Sequence, residues 1–192
     1  MRDKDVRDAL HVQLLGEHAS ELADTLFVDE LGLCGEVRVD VAVVNGSLSG
    51  YELKSARDTL RRLPTQVEVY SRVLDYATLV VAENHVDHAK GILPAWWGLI
   101  EAKGDVGSVS LVGRRHAAQN PAVDPESLAQ LLWRSEALRE LETRGLAAGV
   151  RSKPRVEIWR RLATELAIED LRAVVRACLK ARQDWRSAAP SS

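Results

Sequence analysis

Two acids and a lysine, Asp40, Glu52 and Lys54, stand close together in the stretch RVDVAVVNGSLSGYELKS (38–55). Side chains alternate across a strand, so Glu52 and Lys54 share a face opposite Tyr51 and Leu53. By the same count Val39, Val41 and Val43 share one face, and Arg38, Asp40 and Ala42 the other. Asn45-Gly46 between the two runs marks a β-hairpin, and its loop length decides what faces Asp40. A two-residue loop pairs Val44 with Ser47 and sets Asp40 opposite Tyr51. A three-residue loop pairs Val44 with Leu48 and sets Asp40 opposite Glu52. Facing Cβ atoms lie about 4.5–5.5 Å apart, where like charges repel, so the second register calls for a cation. One strand earlier, a turn centred on Gly35 places Glu30 opposite Asp40, which puts three carboxylates in a row with an ammonium beside the last.

Oxygen-rich sets of this kind suit magnesium, with manganese as a substitute. Such an ion can polarise a phosphoryl oxygen and lower the pKa of a bound water. Lys54 could orient that water or stabilise charge in the transition state. The chemistry implied is phosphodiester cleavage. The plainer alternative makes Glu52 and Lys54 a same-face ion pair on an exposed sheet, worth about 0–1 kcal/mol.

Positioning these residues requires a sheet with helices against it. Apolar spacing at Val6, Ala9, Leu10, Leu14 and Leu15 predicts a helix over 3–18, and TLFVDELGL (25–33) reads as the strand before the hairpin. A helix is expected over 56–76, with Pro64 in the first turn of its main segment, followed by a buried strand at 77–84. A short helix near 86–92 and strands around 96–102 and 108–114 complete a mixed α/β sheet domain over 1–118. Residues 119–127 read as a linker, and 128–186 as a helical extension with helices over 127–144 and 154–182. The last residues, 187–192, are expected to be disordered.

Composition narrows the function classes. Among the 192 residues the net charge is only −2, so the whole chain is not a basic nucleic-acid binder. The charge is uneven: residues 134–192 hold 13 Lys and Arg against 8 acids, whereas residues 1–133 hold 13 against 20. Cys34 and Cys178 lie far apart and suggest neither a zinc site nor a disulfide framework. The charged start, MRDKDVRD, lacks a signal-peptide apolar run, and no stretch approaches the roughly 18 apolar residues of a membrane span. A cytoplasmic location is expected.

The pattern Asp40 … Glu52-Leu53-Lys54 resembles the PD-(D/E)XK nuclease superfamily, whose restriction-endonuclease-like core is similar to the order helix, three-stranded meander, helix, strand. Gln66 and Tyr70 resemble the Q-x-x-x-Y helix motif of its RecB-like branches, whose side chains support the site or contact DNA. YELKSARDTLRRLPTQVEVYSRVLD followed by LPAWWGLIEA looks like a bacterial subfamily of that superfamily. The resemblance covers about residues 20–105, and it departs from the pattern where Val39 replaces the proline of "PD". It implies Asp40, Glu52 and Glu30 as metal ligands and Lys54 as the water-orienting or charge-stabilising group. Glu17 and Glu21 are rivals to Glu30 as the first acid, because many members carry that acid on the first helix. His85-x-x-His88 has helical metal spacing but also reads as a solvated loop.

The segment 138–163 is similar to SAP-type helix-loop-helix modules. Arg151, Lys153, Arg155, Arg160 and Arg161 set five positive charges in eleven residues against one acid, Glu157. Such a cluster neutralises phosphates without reading sequence. The expectation is a magnesium-dependent deoxyribonuclease of DNA repair or processing, acting on double-stranded or branched DNA, with no membrane partner and with a homodimer as one assembly. The rivals are a nuclease-fold DNA-binding module or adaptor that has lost turnover, and a structure-specific RNA nuclease.

Overall fold

The apolar spacing at Val6, Leu10 and Leu14 winds the first helix, α1 (Asp3–Glu17), and buries all three side chains. Leu15, expected on the same stripe, is 46% exposed because it lies past the stripe's edge. In the computed structural model, which describes residues 2–105 and 108–182, a meander follows: β1 (Leu26–Leu33), β2 (Val37–Val44) and β3 (Leu48–Lys54). Next come α2 (Leu63–Val73), β4 (Tyr76–Ala82), α3 (Val86–Lys90), β5 (Gly98–Asp105) and β6 (Ser108–Arg115). The six strands lie in sequence order in one mixed sheet: β1–β2, β2–β3 and β5–β6 are antiparallel, β3–β4 and β4–β5 parallel. The expected α/β order is present.

Both meander turns take the three-residue form. Cys34 (φ 54°) and Gly35 (φ 68°) are left-handed, as a hairpin turn twisted to match its strands requires, and Leu33 pairs with Val37. At the second turn Val44 pairs with Leu48, and the Asn45 carboxamide oxygen accepts the Ser47 amide at 3.1 Å. This is the register that, one rung past the last pair Val41 and Tyr51, brings Asp40 to Glu52.

The helix expected from residue 56 begins only at Leu63. Pro64 has no amide and fits only a first turn, while the Ser55 amide and hydroxyl both donate to Asp58 Oδ2, at 2.7 and 2.6 Å, and hold the preceding residues in a turn. Under the sheet, α1 packs Val6, Leu10 and Leu14 against Val41, Val43, Leu53, Val80 and Ala102. On the other face Trp97 is fully buried and stacks on Tyr70 of α2, with ring centroids 5.5 Å apart.

Two compact units divide at Asp124 and Pro125. The stretch 119–124, expected as linker, is bound into the first unit. Asn120 is buried, donates to the carbonyls of Ser71 and Leu74 at 2.8 Å each, and accepts the Ala122 amide at 3.0 Å. The second unit holds α4 (Pro125–Ala129), α5 (Arg134–Thr143), α6 (Arg155–Glu165) and α7 (Ile168–Ala181) around Leu128, Leu141, Ile158, Leu162, Leu171 and Val175. The two long helices expected here are each broken. Trp133 caps α5, its amide donating to Glu136 at 2.8 Å, and extended Ala167 separates α6 from α7. The expected disordered tail, 187–192, lies outside the described residues, among which no helix is long and apolar enough to cross a membrane.

Replacing Asn120 with Ala strands two buried carbonyls and one amide, each costing about 1–3 kcal/mol if water cannot reach it. The expected outcome is a loss of about 2–4 kcal/mol in denaturant unfolding of the first unit. A loss below about 0.5 kcal/mol would mean the stretch is a linker after all.

Candidate functional site

Glu52 is 1% exposed, a depth at which a carboxylate needs partners for both oxygens. Oε1 accepts from Lys54 Nζ and from Gln66 Nε2 (2.5 Å), and Oε2 from the Tyr70 hydroxyl. Gln66 and Tyr70 reach it together because four residues in a helix bring side chains to one face. The Tyr70 hydroxyl also lies 3.0 Å from the Arg38 carbonyl oxygen, and its one proton serves one acceptor at a time. Burial first, and then the Glu52 charge, push this hydroxyl well above the usual tyrosine value, so it remains a donor. Lys54 is 5% exposed and, with Glu52, Asp40 and Gln66, lines a cleft of about 330 Å³.

Asp40 enters this cleft where β2 leaves β3. The Leu53 amide, beyond the last paired residues, donates to Asp40 Oδ2 at 2.7 Å. A side chain thus replaces the strand partner. The backbone reverses faces at the same rung. Val41 packs with the α1 residues, whereas Val39 sits over Gly50 beside Leu74, on the opposite side. The expectation that Val39, Val41 and Val43 share a face therefore fails at Val39. In β1, Glu30 is left-handed (φ 58°) between the paired residues Asp29 and Leu31, a conformation that a non-glycine residue adopts only when its surroundings enforce it.

Arg7 of α1 ties this rung together, and the sequence reading missed it. Its Nη1 donates to the Asp40 carbonyl oxygen at 2.6 Å, and its Nη2 lies 3.5 Å from Asp40 Oδ1 and 3.1 Å from Glu30 Oε1. The available signal was phase: Arg7 precedes Leu10 and Leu14 by three and seven residues, on the edge of the apolar stripe. Asp40 is pushed up from 3.8 to about 7, by burial first and then by the Glu52 charge; the Leu53 amide, Arg7 and Lys54 pull the other way.

The cleft collects Asp40, Glu52, Lys54, Glu30 and Gln66, with Tyr70 behind Glu52. Among the described residues, no three His, Cys, Asp or Glu side chains converge as a ligand cluster. The row of three carboxylates is not such a set, because Glu30 turns to Arg7 and to Arg38 (3.4 Å). Of the rival first acids, Glu17 accepts from Gln13 at 2.7 Å, and Glu21 pairs with His18 at 2.7 Å and accepts from Asn45 at 3.1 Å. Only Glu30 of the three lines the cleft. The tail residues belong to the second unit. Arg151 pairs with Glu142 (3.0 Å), Arg160 with Glu157 (2.8 Å) and Arg161 with Glu165 (3.3 Å), and Arg155 lies over the Trp159 ring. Lys153 stands in the connection between α5 and α6.

Comparison with known proteins supplies a family. The family described as Bacteriophage P4 protein cII matches residues 2–189, and the chain belongs to it. Protein cII of Enterobacteria phage P4 is 27% identical over 110 residues, which make up 57% of this chain and 41% of that protein. The chain thus spans about two fifths of the length of the relative it matches. Among solved structures, a protein of unknown function from Silicibacter pomeroyi, SPO1766, is 19% identical, covering 80% of this chain and 98% of that one at a TM-score of 0.46. SfsA of Pyrococcus furiosus, solved in complex with Ca2+, is 14% identical, covering 59% and 63% at a TM-score of 0.35. The matching family is not described as PD-(D/E)XK, so the nuclease resemblance stays a proposal.

Folding raises the Asp40 pKa, so the folded state holds this proton more tightly than the unfolded chain. Stability from this group is therefore fully present below about pH 3.8 and is lost as pH rises to about 7. Asp40→Asn removes the titration. The variant is expected to gain stability relative to the natural protein between pH 4 and pH 8, by up to roughly 2–4 kcal/mol at about 1.36 kcal/mol per unit. Thermal unfolding of both proteins across that range checks it. A difference that does not vary with pH would show that Asp40 titrates as an ordinary carboxylate.

Proposed function

We propose that this member of the bacteriophage P4 protein cII family is a metal-dependent nuclease that hydrolyses DNA phosphodiester bonds in DNA repair or processing. One observation carries the reading. Asp40 and Glu52 meet one rung past the last pair of two diverging strands, and Lys54 lines the same cleft. This is the juxtaposition that the resemblance to PD-(D/E)XK nucleases implies.

The donor set fits a hard divalent cation, which needs only one or two protein carboxylates and keeps several waters. Asp40 and Glu52 share the cleft, where burial first and then the Glu52 charge raise the Asp40 pKa, and the buried carboxamide oxygen of Gln66 has no hydrogen-bond partner among the described residues. Asp40 and Glu52 would hold magnesium or manganese, Glu30 would join them as an additional acid only by leaving Arg7 and Arg38, and the bound ion would polarise a phosphoryl oxygen and acidify a water. Lys54 presents three N–H donors, of which Glu52 occupies one. Among the described residues no partner takes the other two, which would orient a water or meet negative charge growing on a phosphoryl oxygen in the cleft. Gln66 and Tyr70 hold Glu52 in place, and Arg7 does the same for Asp40.

A second reading, a nuclease-fold DNA-binding module without turnover, is favoured by one observation. Three protein donors already occupy Glu52, two on Oε1 and one on Oε2, which leaves a cation a single lone-pair site on Oε2.

The test incubates purified protein with plasmid, linear, branched and single-stranded DNA and with structured RNA, with and without magnesium or manganese. Metal-dependent cleavage is expected, and Asp40→Asn or Lys54→Ala should lower it about 10²–10³-fold. In parallel, millimolar magnesium should raise the melting temperature of the natural protein but not of Asp40→Asn. Binding without cleavage would select the second reading, and cleavage unchanged in both variants would place the activity elsewhere.

A further inference from the structure

We infer that residues 56–62, between β3 and α2, form the surface that grips the nucleic-acid backbone, in place of the arginine-rich tail. The inference rests on the nuclease reading for the identity of the ligand. It rests on charge and position for the rest.

Three arginines, Arg57, Arg61 and Arg62, fall within six residues, all exposed. Among the described residues none of the three has an ion-pair or hydrogen-bond partner, whereas Arg7, Arg38, Arg72, Arg114, Arg144 and Arg151 each pair with a carboxylate. In the tail cluster three of the five cations, Arg151, Arg160 and Arg161, are paired with carboxylates. A phosphate binding there competes with Glu142, Glu157 or Glu165 for the guanidinium, whereas at 56–62 it meets unneutralised charge.

The segment is also preformed. Asp58 closes its first turn on Ser55, the Asn84 carboxamide donates to the Ala56 carbonyl at 3.3 Å, and Leu60 and Leu63 are buried pegs beneath the exposed arginines. Little ordering entropy remains to oppose binding. Its placement joins two clefts. Arg62 lines the cleft that holds Lys54, Asp40 and Glu52, while Arg61 lines the neighbouring one with His85 and His88. A strand whose scissile phosphate sits at Lys54 meets Arg62 next, and Arg61 beyond it. These contacts take phosphates and read no bases, so the expected ligand is a polyanionic backbone of any sequence.

The experiment measures binding of a fluorescent 20-base-pair duplex by anisotropy across a salt series, with cleavage followed in parallel. Three variants of the full chain are compared: Arg57→Gln/Arg61→Gln/Arg62→Gln, the same positions changed to Lys, and Arg151→Gln/Lys153→Gln/Arg155→Gln. Loss of three phosphate contacts should weaken binding about ten- to a hundredfold and flatten the slope of log affinity against log salt by up to about three. The Lys variant should keep the slope, and melting temperatures should stay within a few degrees. An unchanged slope in the loop Gln variant, an equal loss in the Lys variant, or a slope change carried by the tail variant would each overturn the inference. If the natural protein binds through the loop yet never cleaves, the inference stands and the nuclease reading fails. Cleavage with a loop-independent slope is the reverse.

Discussion

A carboxylate buried beneath a sheet must be matched donor for donor, and Glu52 imposes that condition on everything around it. Desolvating one charge without compensation would offset much of the folding free energy of a domain this size. Lys54 supplies the counter-charge from the same strand face, but an ammonium alone leaves the second oxygen open. Gln66 and Tyr70 close the set, which fixes the rotation of α2 about its axis. Trp97 then packs flat on Tyr70 and fixes the loop that leads into β5. Removing Glu52 would take this acceptor from Lys54, Gln66 and Tyr70 together, and removing any one donor would leave the buried carboxylate short of a partner.

Next to this rigid pair lies a rung where regular structure gives way. Glu30 and Asp40 flank the rung where β2 changes face, and the left-handed Glu30 is a local strain of about 1–3 kcal/mol. Arg7 binds both acids and the Asp40 carbonyl, which holds the reversal in place. Because of the reversal, β2 and β3 separate early, and a cleft opens at a depth where a closed sheet would have left none. Irregular backbone, a raised carboxyl pKa and a carboxamide oxygen unpartnered among the described residues coincide here.

Charge is organised differently in the two units. In the first, six acids and three cations line the cleft, so it is acidic overall, and the exposed arginines without an ion-pair partner among the described residues stand at its rim. The second spends its arginines on neighbouring glutamates and on Trp159 and Trp133 rings, a pattern that favours helix surfaces over ligand capture.

Much of this was legible in the sequence. Alternation and turn chemistry sufficed for the meander, because Asn45-Gly46 and Cys34-Gly35 admit few loop geometries, and helical spacing sufficed for α1 and α2 and for the pairing of Gln66 with Tyr70. Those signals are local, set by backbone sterics within a few residues. The choice between two-residue and three-residue turns was not local. It depends on whether burying Glu52 with its partners outweighs setting Asp40 against it, a balance that exists only once α2 has docked. The face reversal at Val39, the role of Arg7 and the binding of Asn120 into the first unit escaped for the same reason. Each rests on contacts with residues on other elements, and Val39, Arg7 and Asn120 carry no mark in their own neighbourhoods that sets them apart from an ordinary strand, helix or linker residue.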